Sequence, residues 1–164
     1  MSDLKPLSSA AVPRALEKAE RYRLLNEPAE AESICLDILD SDPGNQKALV
    51  MLLLALTDRF GMGYAVGSTE VAEVLSRLSD GYERSYYSGI VCERRAKALL
   101  QQGGAGFSAY GWLSEAMGWY EKAEAIHPAG NEDAILRWNT CARIIARNRL
   151  VPPGPEDDVE HGLE

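Results

Sequence analysis

Apolar residues recur at intervals of three and four along most of this 164-residue chain, and polar–apolar alternation never persists. Such spacing places apolar side chains on one face of an α-helix, whereas a strand with one buried face requires alternation. One apolar stripe lies within residues 15–25 and the next within 31–39, with a break at Asn26-Glu27-Pro28 between them. The sequence therefore predicts an all-α protein that begins with a helical hairpin.

Five further helices are predicted from the same spacing and from the turn residues that separate them. They cover residues 46–60, a segment that starts at 68, and residues 83–102, 112–126 and 132–148. Ser68 and Thr69 are expected to cap the fourth helix, and the seventh helix is expected to cap the fold. The apolar run LVMLLLAL could also form a buried strand, but its leucines outnumber its one β-branched residue and therefore favour a helix.

The two ends of the chain differ from its helical middle. Residues 1–10 are expected to be flexible, residues 11–150 to form one helical domain, and residues 151–164 to form an acidic tail that contains proline and glycine. The formal net charge is −8, and the tail contributes five of the negative charges. Because nucleic acids and anionic membranes attract clustered Lys and Arg, this balance argues against both as partners.

Hydrophobic segments are short throughout. No apolar run approaches the roughly 20 residues that a membrane-spanning helix requires, and the first residues lack the apolar stretch of a signal peptide. We therefore expect a cytoplasmic location.

The cysteines and histidines do not form a recognisable site. Cys35, Cys92 and Cys141 are widely separated, and His127 and His161 lie beside a loop proline and in the acidic tail. A metal site needs clustered ligands, so we expect no metal and no other cofactor. Each cysteine lies in an apolar helical pattern, which predicts a small core residue.

Two segments that end in proline share a spacing. Each has an alanine twelve residues before the proline and a small or apolar residue five before it: Ala31, Ile38 and Pro43 in the first, Ala116, Ala123 and Pro128 in the second. This spacing resembles the tetratricopeptide repeat, a helix–turn–helix unit of about 34 residues. The resemblance covers residues 12–148, and the middle unit matches poorly because it lacks the final proline.

The resemblance implies an α-solenoid of stacked antiparallel helical hairpins. Such folds are non-catalytic protein–protein interaction modules, scaffolds or adaptors that bind a peptide or protein surface in a concave groove. No nucleophile–base grouping is evident in the sequence, so we expect no enzyme activity. The candidate groove residues are Glu20, Arg23, Lys47, Leu54, Asp58, Glu93, Lys97, Gln101, Asn139 and Arg143.

The glycine-rich segment GMGYAVG, residues 61–67, raises a different possibility. A phosphate-binding loop would follow a strand, whereas a predicted helix precedes this segment and no lysine follows its glycines. A turn in which glycine supplies positive φ is therefore the favoured reading, and a ligand-binding or catalytic protein is the less favoured alternative.

Two predicted inserts, residues 61–67 and 103–111, occupy equivalent positions between paired helices and carry many apolar side chains. These side chains either cover the helix ends or form a loop edge that docks a partner or a second copy of the chain, which would make the protein a homodimer or larger oligomer. The candidate contact residues are Met62, Tyr64, Phe107, Tyr110 and Trp119. Trp138, by contrast, is predicted to belong to the core.

Overall fold

A computed structural model of the chain describes residues 3–62, 67–104 and 106–155. These residues contain seven α-helices, one short 3₁₀ helix and no strand, so the predicted all-α class is confirmed for them. The 3₁₀ helix is Ser9–Ala11, and the α-helices are α1 Val12–Leu24, α2 Pro28–Ser41, α3 Gln46–Asp58, α4 Ser68–Ser76, α5 Gly81–Gln101, α6 Gly106–Glu124 and α7 Asp133–Asn148.

Local side-chain chemistry sets several helix ends. The Asn45 side chain accepts a hydrogen bond from the Ala48 N–H at 2.9 Å and so caps α3. Asp80 accepts from the Tyr82 N–H at 3.1 Å and caps α5 in the same way. The predicted Ser68-Thr69 cap is wrong, because the N-cap of α4 is Gly67 and no side chain caps it.

Glycine ends α5 with a compact reversal. Gly103 has φ +72°, its N–H donates to the Leu100 carbonyl, and the Gly104 N–H donates to the Leu99 carbonyl at 2.8 Å. This pair of bonds is the Schellman arrangement, which needs a left-handed residue at the position of Gly103. The chain therefore needs no long insert to turn into the next helix.

The predicted loop over residues 103–111 is consequently wrong for most of its length. α6 begins at Gly106, so Phe107 and Tyr110 lie in its first turns. Ala109 is fully buried one turn before Leu113, so the apolar stripe of α6 starts before the predicted helix 112–126.

The chain divides into two compact units, residues 1–79 and 80–164. In the first unit α1 packs on α2, α2 packs on α3, and α3 also contacts α1 and α4. Its core combines small residues that let the helices approach with larger aliphatic ones from α2 and α3: Ala19, Ala31, Cys35, Ile38, Leu49 and Leu53.

The second unit is built around α6, which packs on both α5 and α7. Its core holds Ile90, Ala96, Leu113, Ala116, Tyr120 and Cys141. Gly89 allows α5 and α6 to approach closely, because a Cβ built on it would lie 2.5 Å from the Tyr120 ring. The stacking of all hairpins into one solenoid over residues 11–150 stays a prediction.

Candidate functional site

A buried carboxylate connects the three helices of the second unit. The Glu93 side chain, on α5, is only 1% exposed. Arg137, on α7, binds it side-on: its Nε lies 3.1 Å from Oε1, and its Nη2 pairs with Oε2. Lys97 Nζ lies 2.7 Å from Oε2, and the Tyr120 hydroxyl on α6 donates to Oε1 at 3.1 Å.

Two cations therefore surround one anion. Burial alone would disfavour the ionised form of Glu93, but the hydrogen bonds and charges of Arg137 and Lys97 outweigh it and lower the pKa of the carboxyl. Arg137 and Lys97 remain 30% and 39% exposed, so water still reaches the cations. A carboxylate held in this way is ionised and fully hydrogen-bonded, which suits it to holding helices together.

The tyrosine beside Glu93 is fixed by its neighbours. The Tyr120 ring packs against Gly89, one turn before Glu93 on α5, and the Tyr86 ring centroid lies 5.9 Å away. Burial, reinforced by the negative charge of Glu93, raises the pKa of Tyr120. The hydroxyl is therefore a neutral hydrogen-bond donor.

The three cysteines are buried and carry free thiols, and their burial agrees with the prediction that they are core residues. Burial raises the pKa of Cys35, Cys92 and Cys141 to about 12 in each case. The Cys141 thiol also lies 3.6 Å from Glu93 Oε1. Because the thiolate is the reactive form, these side chains are poor nucleophiles at neutral pH.

In the first unit, two predicted groove residues bind each other. Arg23 Nε lies 2.6 Å from Asp58 Oδ2, and Arg23 Nη2 lies 3.2 Å from Asp58 Oδ1. The pair joins α1 to α3, so part of each side chain's binding capacity is used within the unit. Glu20 and Lys47 are exposed, and Leu54 is half-buried.

In the second unit, the groove prediction is wrong for Glu93. The sequence predicts that Glu93 lies on an exposed face, whereas its side chain is buried and paired with Lys97, another predicted groove residue. Gln101 and Arg143 are exposed, and Asn139 is half-buried.

The predicted loop edge is not a loop at two of its residues. Phe107 and Tyr110 are half-buried side chains of α6, while Met62 is exposed after α3. Tyr64 lies outside the described residues. Trp119 is half-buried, and the Lys122 ammonium sits 4.3 Å from the centroid of its ring.

An open pocket of about 270 Å³ lies between α6 and α7. Glu121 and Glu124 line it from the last turn of α6, and Ile135 and Trp138 line it from α7. The Trp138 indole Nε1–H donates to Glu121 Oε1 at 3.1 Å, which fixes the ring beside the carboxylate. Trp138 is therefore half-buried and accessible, and its assignment to the closed core is corrected.

Sequence reasoning missed this pocket because its residues come from two helices. Spacing within α6 predicts that Glu121 and Glu124 lie on a solvent-exposed face, and spacing within α7 predicts that Trp138 belongs to the apolar stripe that faces the core. Each description is reasonable for one helix. Only the packing of α7 on α6 brings the carboxylates and the indole together.

Residues 3–62, 67–104 and 106–155 contain no group of three or more His, Cys, Asp or Glu side chains placed to hold a metal ion. Over the same ranges, no helix combines the length and apolar character needed to cross a bilayer.

Comparison with known proteins gives no assignment. No protein-family model matches this sequence, and neither the curated proteins nor the solved structures provide a significant match.

Proposed function

We propose that this protein is a non-catalytic helical module that binds a polypeptide partner, and that the α6–α7 pocket is the centre of its binding surface. The observation that carries the proposal is the position of Trp138, whose ring lines an open pocket beside an aliphatic wall and two carboxylates. Accessible tryptophans in such settings are frequent anchors of protein interfaces.

The chemistry of the buried groups supports a binding role over a reactive one. The Glu93 carboxylate is balanced by Arg137 and Lys97, and burial keeps the described thiols protonated at neutral pH. Among the described residues, no buried side-chain nitrogen or oxygen lacks a hydrogen-bond partner. Shifted pKa values occur in structural ion-pair networks as well as in active sites, and we interpret the Glu93 cluster as structural.

The sequence resemblance supports the same proposal. The spacing shared by residues 31–43 and 116–128 is typical of tetratricopeptide hairpins, which present helical surfaces to peptides. The proposed surface differs from the groove predicted by that resemblance, since it lies between α6 and α7. Self-association through the loop edge is the weaker alternative, because Phe107 and Tyr110 are partly buried in α6.

Selection from a random peptide library on the immobilised full-length chain tests this proposal. We expect selected peptides to bind Trp138→Ala at least about tenfold more weakly, which corresponds to about 1.4 kcal/mol. Leu136→Ala is the matched control, because Leu136 is 62% exposed on the same helix and does not line the pocket. Failure to select any peptide, or equal binding to Trp138→Ala, would contradict the proposal.

A further inference from the structure

We propose that the α6–α7 pocket receives the side chain of a lysine or arginine, so that the polypeptide partner is a basic segment. This inference rests on the proposed function and adds the chemistry of the ligand. The four residues that line the pocket provide two anionic side chains, one aromatic ring and one aliphatic side chain, and none of them is basic.

The size of the pocket favours a single side chain. Sites for drug-sized ligands and cofactors usually measure about 300–1,000 Å³ and enclose most of the ligand. The α6–α7 pocket, at about 270 Å³, is smaller and open. An extended or helical peptide can place one residue in it while the rest of the peptide runs along the helices.

Its walls match the two parts of a basic side chain. Ile135 and the Trp138 ring provide apolar surface for the methylene stem, which Lys and Arg commonly bury. A tryptophan face also attracts a cation held within about 6 Å of the ring centroid. The indole N–H is already bonded to Glu121 and is therefore not available as a donor to the ligand.

The pocket carboxylates lack the internal cations that balance Glu93. Within the described residues, the Glu124 carboxylate has no hydrogen-bond donor or ion-pair partner, and the Glu121 carboxylate accepts a hydrogen bond from the neutral indole of Trp138. Lys122, which lies between them in sequence, sits over the Trp119 ring instead. Among the described residues that line the pocket, two therefore carry a negative charge and none carries a positive one.

The helix that carries these carboxylates adds to the negative potential. α6 ends at Glu124, so Glu121 and Glu124 both lie in its last turn, where the helix dipole is negative. Acidic residues there oppose the stability of the free protein, whereas a bound cation would be favoured by the carboxylates and the helix terminus together. A role in binding a cationic ligand would account for acidic residues at this helix terminus.

The test uses the same random peptide library and the full-length chain. Peptides selected on the wild type are expected to be enriched in Lys or Arg, and selection on the Glu121→Gln/Glu124→Gln variant is expected to lose that enrichment. Replacing the key Lys by norleucine, or Arg by citrulline, removes the charge and largely keeps the shape. We expect this replacement to weaken binding at least about tenfold on the wild type and little on the double variant.

Folding can be separated from binding in this test. The double Gln variant should unfold at the same or slightly higher temperature, because it removes two acidic charges from a helix C-terminus. A charge exchange provides a second check: Glu124→Lys should weaken binding of the basic peptide and recover binding when the peptide carries Glu in place of its basic residue.

The possible results distinguish the two proposals. Peptides that require Trp138 but show no preference for Lys or Arg, or that bind the double Gln variant unchanged, would overturn the basic-ligand inference and leave the binding role standing. Peptides that bind independently of Trp138, or the absence of any selected peptide, would overturn both.

Discussion

Glu93 is the residue on which the second unit depends for charge balance. Its Oε2 accepts from both Lys97 and Arg137, and its Oε1 accepts from Arg137 and Tyr120. In a glutamine one of these oxygens becomes an NH₂ group, which is a hydrogen-bond donor and would face the donor groups that the oxygen accepts from. The sequence offered a signal for this burial, since Glu93 shares a helix face with Gly89 and Ala96, both of which are buried.

We expect Glu93→Gln to lower the free energy of unfolding of the second unit by about 1–3 kcal/mol. The cost stays moderate because Arg137 and Lys97 are partly exposed and can be hydrated. All three tryptophans belong to this unit, so tryptophan fluorescence during urea unfolding reports on it. Glu115→Gln, at an exposed position of α6, should change stability by no more than about 0.5 kcal/mol. Equal stabilities of the two variants would contradict the role assigned to Glu93.

The lowered pKa of Glu93 also predicts how stability depends on pH. Because the pKa is lower in the folded chain than its ordinary value of about 4.3, the stabilisation is present above that value and is lost as the pH falls through the folded pKa. The stability difference between wild type and Glu93→Gln should therefore shrink below about pH 4. Fluorescence-detected unfolding across this range measures it, and a constant difference would show that the charge of Glu93 is not the cause.

At the scale of elements, close contact between α5 and α6 depends on one glycine. A Cβ at Gly89 would meet three atoms of the Tyr120 ring within 3 Å, and that ring is held by the hydroxyl bond to Glu93. The ring therefore cannot move aside without loss of the bond. Helix propensity alone would favour alanine over glycine by about 1 kcal/mol, so packing and propensity oppose each other at this position.

We expect Gly89→Ala to destabilise the second unit by about 1–3 kcal/mol, the range typical of overpacking. Gly118→Ala is the matched control: it lies in α6, and nothing comes within 4 Å of its added Cβ. This control should raise stability, by up to about 1 kcal/mol. Thermal unfolding followed by tryptophan fluorescence compares them, and a Gly89→Ala variant as stable as Gly118→Ala would contradict the packing argument.

The sequence predicts that the seven helices exist, but it does not predict some of their ends or the α6–α7 pocket. Spacing within one helix identified all seven helices, and Gly103-Gly104 correctly marked the end of α5. The predicted start of α6 is too late because the four glycines and two aromatics of residues 103–111 resemble a loop sequence, whereas Ala109 is buried in the helix. The pocket escaped prediction for a different reason: Glu121 and Trp138 meet only through tertiary packing.

At the scale of the whole molecule, the buried ionic cluster, the tryptophans and the described pocket all belong to one of the two units. The buried ionic cluster around Glu93, all three tryptophans and the α6–α7 pocket belong to residues 80–164. In the first unit the described partly buried ion pairs are Arg23–Asp58, which joins α1 to α3, and Arg59–Glu32, which joins the residue after α3 to α2. We therefore propose that the second unit carries the partner-binding surface.

The three tryptophans permit the most direct test of that assignment. A proton–nitrogen correlation spectrum of the ¹⁵N-labelled full-length chain should show three indole N–H signals, which Trp→Phe variants assign to Trp112, Trp119 and Trp138. On titration with a library-selected peptide, we predict that the Trp138 signal shifts most and that the Trp112 signal stays in place. A Trp138 signal that does not move at saturating peptide would contradict the proposal that the α6–α7 pocket is the binding surface.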